Sequence, residues 1–382
     1  MRQLSIALVG TRGVPARYGG FETAVEQVGT RLSERGHRVR VYCRTGNSEV
    51  GRSFAGMELV TLPALRRRSL ETVSHTGLSV AHLLVHRVDA VFVFNAANSP
   101  WLPALRAARM PVATHVDGLE WKRAKWGTTG RRYYRAAETA AVRLSDALIA
   151  DAEGIQDYYA RQYGVPSTLL TYGAPVLTDP PATKLGPLGL RSRGFHLVVA
   201  RFEPENHVDV VVEGYVASGA REPLVVVGSA PYADAYTARI RQLAGDDPRV
   251  RFLGGVWDQE LLDQLYAHAL TYLHGHSVGG TNPSLLRAIG AAAPTTAFDV
   301  VFNRDVLGPD GLYFDGPADV AASVERAERD VDGEVARGKR LQGRAADYDW
   351  DRVADGYERL AYELVARRTP GPHPRARRRA AG

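Results

Sequence analysis

Short apolar runs alternate with segments of helical periodicity along the first half of the chain. The apolar runs predict strands at 4–9, 38–43, 57–62, 90–94, 111–116 and 147–150. The periodic segments predict helices at 21–35, 70–86, 101–108, 131–144 and 153–163. Strands that alternate with helices form a mostly parallel sheet covered by helices on both faces. We therefore predict an α/β domain over residues 1–174.

The same alternation restarts after a segment rich in proline and glycine, residues 175–194, which predicts a linker. Strands are predicted at 195–200, 223–227, 250–253, 270–273 and 295–298, and these define a second α/β domain over 195–346. Residues 347–366 contain a strong helical stripe of apolar residues. Residues 367–382 have arginine, proline and glycine without core-forming residues, so a disordered basic tail is predicted there.

Composition is that of an ordinary soluble protein, with 382 residues, 45% apolar and 24% charged. The net charge of +6 equals the number of arginines in the last sixteen residues, so the rest of the chain is near neutral and unlike a nucleic-acid-binding domain. Cys43 is the only cysteine, which excludes a disulfide framework. The start shows no signal-peptide pattern, and no apolar stretch is long enough to span a bilayer. We expect a cytoplasmic protein that at most rests on a membrane surface.

The first candidate site is the stretch from Gly10 to Thr23, between the first strand and the first helix. Ligands of open α/β sheets bind at this carboxyl edge of the strands. Glycines let the backbone approach a ligand, and the helix N-terminus attracts an anion. A tight βα connection is the alternative, but a loop of about ten residues exceeds the usual two to six.

A dinucleotide site does not fit this loop. The spaced G-x-G-x-x-G is missing, and the second strand ends in Cys43-Arg44 instead of an acid for a ribose. None of the four lysines has a tyrosine four residues before it, and the chain has no P-loop motif. Dehydrogenase and P-loop kinase chemistry are therefore disfavoured.

The second candidate site is the segment 274–286, which follows a buried strand and opens a helix. Asn282 suits the N-cap and Pro283 the first helical position, while Gly279-Gly280 would let a diphosphate reach the helix N-terminus. Helix capping alone is the alternative. His274 and His276 lack a third ligand at a telling spacing, so no metal site is predicted.

Two further features of the sequence carry charge. Arg201 ends the first strand of the second half, where a guanidinium suits a phosphate and a surface salt bridge is the alternative. A basic and aromatic cluster spans 121–135. It fits contact with anionic headgroups, stacking on nucleic-acid bases, or a solvated loop with a few buried aromatic residues.

With two glycine-bearing junctions and Arg201, the chain resembles GT-B glycosyltransferases of the large retaining group that includes mannosyl- and rhamnosyltransferases. The stretch Gly-Thr-Arg-Gly-Val-Pro-Ala-Arg-Tyr-Gly-Gly-Phe-Glu-Thr is typical of one bacterial subgroup, as are segments like 116–123 and 274–286. The resemblance covers nearly the whole chain short of the tail. It implies two Rossmann-like, doubly wound parallel-sheet domains that face a cleft, with the final helix crossing back to the first domain.

The resemblance also implies an activity. Such proteins transfer a sugar, rhamnose in this subgroup, from a nucleoside-diphosphate donor with retention and without a metal. The acceptor is a saccharide or a lipid-linked saccharide in cell-envelope polysaccharide assembly. No cofactor is implied beyond the nucleotide sugar as co-substrate, and no nucleic-acid partner. The expected place is the cytoplasm, with peripheral contact at the anionic inner face of the plasma membrane.

Site residues follow from the resemblance position by position. The expected donor-binding residues are Gly13, Arg201, Asn206, Gly279, Gly280, Thr281, Asn282 and Arg287. For catalysis we expect Arg201 to contact the diphosphate, and His115 and Asp117 to contact the sugars. The expected acceptor-side residues are Arg17, Tyr18, Gly19, Gly20, Glu120 and Trp121. No residue is expected to bind a metal.

Three positions depart from the pattern of the broad family. Asn206 stands where a lysine is usual, and Gly279 and Arg287 stand where two glutamates are usual. Arg287 replaces a hydrogen-bond acceptor by a cation near the expected diphosphate. The alternative hypothesis is therefore a GT-B-like binding or scaffold protein with impaired catalysis. A nucleic-acid-binding protein that uses the 121–135 cluster and the tail is the third.

Overall fold

A computed structural model describes residues 2–16, 19–46, 51–65, 70–116, 118–123, 126–228 and 234–367. Two α/β domains are present, each built on a mostly parallel sheet with helices on both faces, and the predicted fold class is confirmed. The predicted tail, from residue 368 onward, lies outside the described residues.

The first domain follows the predicted order of strands and helices. Its elements are β1 (Ser5–Val9), α1 (Gly20–Glu34), β2 (Arg38–Arg44), β3 (Ser53–Phe54), β4 (Met57–Leu62), α2 (Glu71–Val85), β5 (Ala90–Phe94), α3 (Leu102–Ala107), β6 (Val112–His115), α4 (Thr128–Leu144), β7 (Ala147–Ala150), α5 (Glu153–Tyr163) and β8 (Thr168–Leu169). The strands lie in the order β3-β4-β2-β1-β5-β6-β7-β8, and all pairs are parallel except β3 with β4.

The second domain begins at β9 and ends before the last helix. Its elements are β9 (His196–Val199), α6 (Val208–Ala217), β10 (Leu224–Val227), α7 (Asp234–Ala244), β11 (Val250–Gly254), α8 (Gln259–His268), β12 (Thr271–His274), α9 (Pro283–Gly290), β13 (Thr295–Phe298), α10 (Val301–Leu307), β14 (Leu312–Phe314), α11 (Pro317–Arg329) and α12 (Val331–Arg344). All its strands are parallel, in the order β11-β10-β9-β12-β13-β14.

Apolar strands form the centre of each sheet because helices cover both faces. All five residues of β5 and all four of β10 are buried. A strand that is covered on both sides reads as a continuous apolar run instead of an alternating one. The carboxyl edges of the two sheets face each other, and the candidate site lies between them.

The chain crosses between the domains twice, and the two crossings lie side by side. Ala174 donates its amide hydrogen to the carbonyl oxygen of Tyr348 at 2.6 Å. Gly173 packs against the ring of Trp350 so closely that a Cβ would overlap it. The last helix, α13 (Trp350–Ala366), then packs on α1 of the first domain. The crossing back that the resemblance implied is therefore present.

Residues 175–194, predicted as a linker, run along the second domain. Leu185 and Leu190 are buried there in the core that also contains Phe195 and Leu197. Part of this segment thus contributes to the second domain's packing. No helix among the described residues has both the length and the apolar character needed to cross a membrane.

Candidate active site

The two glycine-bearing junctions meet at the boundary between the domains. Gly20 is the first residue of α1, and Pro283 is the first residue of α9. A Cβ on Gly20 would lie 3.0 Å from Cγ of Pro283 and 3.4 Å from the Tyr172 ring. The N-termini of two helices, one from each domain, therefore converge on one place.

The first-domain loop needs glycine at two positions. Gly10 has φ +100° and lies against the Phe94 carbonyl, and Gly13 has φ +103° and lies against Cys43. A side chain at either residue would be strained and would collide with backbone. The loop thus lies flat against β2 and β5, and the expected role of Gly13 in donor binding stays a prediction.

Carboxylates of α1 hold the amide groups of this loop. Arg12 donates its amide hydrogen to Oε1 of Glu22 at 2.9 Å, and Ala16 donates to Oε2 of Glu26 at 2.6 Å. These two amides are therefore committed within the first domain. Gly19 is the N-cap residue of α1. The predicted acceptor-side residues Arg17 and Tyr18 lie outside the described residues.

The second-domain loop is closed against the first domain. Gly279 has φ +140°, and its backbone touches Gly118 of the first domain. Thr281 donates its hydroxyl hydrogen to the carbonyl oxygen of Asp151 at 2.8 Å, and Gly280 packs on the carboxylate of the same aspartate. Sequence reasoning missed Asp151, because only the fold shows that the end of β7 faces this loop.

The predicted cap of α9 is confirmed. Asn282 accepts a hydrogen bond from the amide of Ser284 at 2.8 Å, and Pro283 takes the first helical position. The Asn282 side chain accepts a hydrogen bond from an amide at the start of the helix, and Pro283 has no amide hydrogen that would need a partner there. The arrangement leaves the α9 dipole directed at the domain boundary.

Arg201 lies at the carboxyl end of β9, as predicted. Its side chain is 41% exposed, and Nη2 lies 3.6 Å from Oε2 of Glu203. Asn206, buried, donates from Nδ2 to the Arg201 carbonyl oxygen at 2.8 Å, and its Oδ1 lies 2.9 Å from Nδ1 of His276. Asn206 therefore stabilises the turn that presents Arg201.

Three histidines near the boundary are buried and neutral. Burial lowers the pKa of His115 and of His274 to about 3, and burial also puts the pKa of His276 well below its usual range. The His115 ring packs among Phe21, Phe94 and Tyr172, with ring centroids 5.0, 5.6 and 6.3 Å away. His115 is therefore no cation in this arrangement, and its expected sugar contact stays a prediction. Asp117 lies outside the described residues.

A buried ion cluster joins the domains beside this site. Arg123 of the first domain lies 2.6 Å from Oε1 of Glu120. Its guanidinium also lies 3.8 Å from Glu203 and 3.7 Å from Glu205 of the second domain. Sequence reasoning noted Arg123 only as part of a basic run, since its second-domain partners Glu203 and Glu205 lie about 80 residues further along the chain. Burial makes such a cluster sensitive to the loss of one member.

Trp121, Trp126 and Arg135 of the 121–135 cluster contact their neighbours in the described structure. Glu120 is buried and accepts a hydrogen bond from Nε1 of Trp126 at 3.1 Å. The guanidinium of Arg135 lies 4.3 Å from the Trp121 ring centroid, a cation–π contact. The expected acceptor-side residues Glu120 and Trp121 are thus near the boundary and packed by their neighbours.

Arg287 is bound to a neighbouring helix of its own domain. Its Nη2 lies 2.7 Å from Oδ1 of Asp263, and Nη1 donates to Oε1 of Gln259 at 2.8 Å, both in α8. The charge that the sequence placed near the diphosphate is therefore offset by an aspartate. In the described part of the chain, no three His, Cys, Asp or Glu side chains are grouped so as to hold a metal ion.

The structure therefore brings Gly20, Gly279–Asn282, Glu120 and Arg201 to one interdomain boundary. In the first half of the chain, residues 18–172 match the family model of Glycosyltransferase Family 4. Among curated proteins, none matches the chain's sequence.

Solved structures resemble the whole chain. Sucrose-phosphate synthase from Thermosynechococcus elongatus has a TM-score of 0.81 at 20% identity, covering 96% of this chain and 100% of the other. HepE from Anabaena in complex with UDP-glucose has a TM-score of 0.77 at 15% identity, covering 94% and 100%. Trehalose 6-phosphate synthase from Burkholderia multivorans has a TM-score of 0.71 at 14% identity, covering 96% and 99%. The chain thus has the GT-B fold of these structures.

Proposed function

We propose that the chain is a retaining glycosyltransferase that takes its sugar from a nucleoside-diphosphate donor. The observation that carries the proposal is the convergence of α1 and α9 at Gly20 and Pro283. Each helix N-terminus carries partial positive charge, so both favour an anion between them. The match of residues 18–172 to the family 4 model and the GT-B fold support the proposal, and HepE of the same fold was solved with UDP-glucose.

The donor diphosphate would bind mainly to the second domain. Gly280 and Thr281 stand at the N-terminus of α9, and Arg201 is half-exposed at the adjacent end of β9. A guanidinium and backbone amides are the groups that bind diphosphate oxygens. The same groups would stabilise the charge that develops on the leaving diphosphate.

Donor entry would require the domains to part. Contacts of Gly118 with Gly279 and of Asp151 with Thr281 now close the boundary. The paired crossings at Ala174 and Tyr348 are the natural hinge, because within the described ranges the chain passes between the domains only there. The closed form would then exclude water and hold the acceptor hydroxyl beside the sugar.

The finer features of the activity are part of the same proposal. The transferred sugar is rhamnose, and the acceptor is a saccharide or lipid-linked saccharide of the cell envelope. Attack occurs on the face that the diphosphate leaves, and the diphosphate helps to deprotonate the acceptor. That mechanism needs no metal, no cofactor besides the nucleotide sugar and no charged histidine, which agrees with the buried, neutral His115.

A turnover assay tests the proposal. Purified protein is incubated with UDP-, GDP-, ADP- and dTDP-sugars and a lipid-linked saccharide, and nucleoside diphosphate release is followed. We expect release with one donor, a product of retained anomeric configuration by NMR, and loss of at least about 100-fold in Arg201→Ala. The control Arg161→Ala, at an exposed helix position of the first domain, should keep wild-type activity. An inverted product would overturn retention.

The second candidate function is a donor-binding protein with impaired catalysis. Arg287 at an unusual position favours it, but its pairing with Asp263 offsets the added charge. One result distinguishes the transferase from the donor-binding protein. Binding of a nucleotide sugar without transfer to any saccharide acceptor would support the binding protein, and turnover by the wild type would exclude it.

A further inference from the structure

The outer face of the first domain is formed by α2, α3 and α4. Val80 and Leu83 of α2 pack with Leu102 and Leu105 of α3 in one core under this face. α4 lies on the other side of α3. The opposite face of the sheet is covered by α1 and α13. The sides of α2–α4 that point away from the sheet are therefore solvent-exposed.

Exposed apolar side chains are concentrated on this face. Seven of the eleven large apolar side chains that are exposed in the described ranges fall within residues 65–133: Leu65, Leu70, Leu78, Leu84, Val85, Trp101 and Tyr133. Along α2, Leu78 and Val85 are seven residues apart and share a helix face, and the exposed Leu84 is the neighbour of Val85. Val85 is 77% exposed. Water-facing apolar side chains grouped in this way mark an interaction surface.

The helices of this face carry many exposed cationic side chains. Within the described part of 65–145, eight cationic side chains are exposed: Arg87, Arg106, Arg109, Lys122, Arg131, Arg132, Arg135 and Arg143. No described aspartate or glutamate in that range is exposed, because Glu120 and Glu138 are buried and Glu71 and Asp89 are half-buried in ion pairs.

The charge of the whole chain is unevenly distributed in the same sense. Residues 65–145 contain thirteen Lys and Arg against five Asp and Glu, a net charge of +8, whereas the full chain has +6. The rest of the chain is therefore net negative by two. The near-neutral charge outside the tail thus conceals one strongly cationic stretch of sequence.

A cavity of about 130 Å³ lies beside the C-terminal end of α2. Arg38, Arg40 and Arg87 line it together with Glu58. Arg40 is bound to Glu58 at 3.0 Å, whereas Arg38 and Arg87 form no ion pair with any described residue. Two unpaired guanidiniums beside the exposed Val85 suit an anionic group at the edge of an apolar layer.

We propose that this α2–α4 face docks on an anionic lipid bilayer, with α2 in the interface and Leu84 and Val85 among the acyl chains. Transfer of the aliphatic side chains from water into the acyl layer would be favourable, and the arginines around them would contact lipid phosphates. A nucleic acid matches the charge but not the aliphatic side chains, because its surface is polar and its bases stack on aromatic rings. The proposal holds whether or not the chain transfers a sugar.

Sedimentation with lipid vesicles tests this docking. Full-length protein is mixed with phosphatidylcholine vesicles with and without phosphatidylglycerol, at low and high salt. We expect binding to the anionic vesicles that weakens with salt. Leu84→Gln with Val85→Gln should weaken it about tenfold or more, and Arg87→Gln about fivefold. The matched control, Val176→Gln with Val331→Gln, removes exposed apolar side chains elsewhere and should bind like the wild type.

Each other outcome overturns the proposal. Equal binding by the α2 variant and its control would place the contact elsewhere on the chain. Equal binding to neutral and anionic vesicles would remove the charge argument. Binding to a DNA duplex that the Arg87 variant weakens, without vesicle binding, would assign the face to nucleic acid. Unchanged melting temperatures show that the variants are folded, and nucleotide binding on the same samples reports separately on the proposed transferase function.

Discussion

Thr281 of the second domain donates its hydroxyl hydrogen to the carbonyl oxygen of Asp151 of the first domain, at 2.8 Å. The bond joins the start of α9 to the end of β7, at the facing edges of the two sheets. Gly280 packs on the carboxylate of the same aspartate. The loop expected to hold the donor diphosphate is therefore also the loop that closes the domains.

A side chain at Gly280 should open the protein. The Cβ of Gly280→Ala would overlap the Asp151 carboxylate, and the first domain would have to move away. We expect a larger radius of gyration by small-angle X-ray scattering. Gly343→Ala is the control, since a Cβ there meets nothing within 4 Å in the described structure. Identical scattering curves for wild type and Gly280→Ala would contradict the closed contact.

Loss of Arg123 should destabilise the protein strongly. Arg123→Met leaves Glu120, Glu203 and Glu205 without their shared cation in a buried place. We expect the free energy of unfolding to fall by about 3–5 kcal/mol in urea denaturation. Adding Glu205→Gln should recover part of this loss, because it removes one uncompensated charge. The exposed control Arg161→Met should change stability by at most about 0.5 kcal/mol. An equally small effect for Arg123→Met would disprove the buried cluster.

Buried His115 should make stability fall in acid. Its pKa is lowered from 6.5 to about 3 by burial. Above pH 6.5 neither state binds the proton, so His115 adds no pH dependence. Between pH 6.5 and 3 only the unfolded state binds it, so stability falls as pH falls, by about 1.4 kcal/mol per pH unit.

Replacing His115 isolates its contribution to the pH dependence of stability. His115→Phe suits the aromatic surroundings of Phe21, Phe94 and Tyr172 and removes the titrating group. The slope of unfolding free energy against pH between 6 and 4 should become shallower than in the wild type. An unchanged slope in His115→Phe would mean that the imidazole is charged or exposed in the folded state.

The pairing of Arg287 with Asp263 can be measured by charge reversal. Arg287→Glu alone places two carboxylates side by side and should lower stability by about 1 kcal/mol, since the pair is partly exposed. Adding Asp263→Arg should restore most of it by re-forming the pair with reversed charges. Nucleotide binding by both variants then shows whether residue 287 contacts the donor. Failure of the second change to restore stability would argue against the pair.

The frame of the fold could be predicted from the sequence because its signals are local. β5 and β10 are continuous apolar runs, and Asn282-Pro283 marks the start of α9. The two-residue strands β3 and β8 and the three-residue β14 were missed. Segments that short have no measurable periodicity, and only their pairing partners define them.

The site was predicted less completely, because its contacts are long-range. Arg123 with Glu205 and Arg287 with Asp263 are pairs that no local spacing indicates. The exposed apolar residues of α2 were also hidden, since a sequence does not show which side of a helix is left uncovered. The rhamnosyltransferase-type subgroup and the roles of Arg17, Tyr18 and Asp117 stay predictions.

Titration calorimetry with nucleoside diphosphates tests the central claim most directly, since it needs neither the right sugar nor the right acceptor. UDP, GDP, ADP and dTDP are each titrated into wild type, Arg201→Ala and the control Arg161→Ala. A diphosphate held between α1 and α9 predicts that at least one nucleotide binds wild type and control alike, and that Arg201→Ala binds it about tenfold or more weakly. Binding of none of the four, or equal binding by Arg201→Ala, would contradict it.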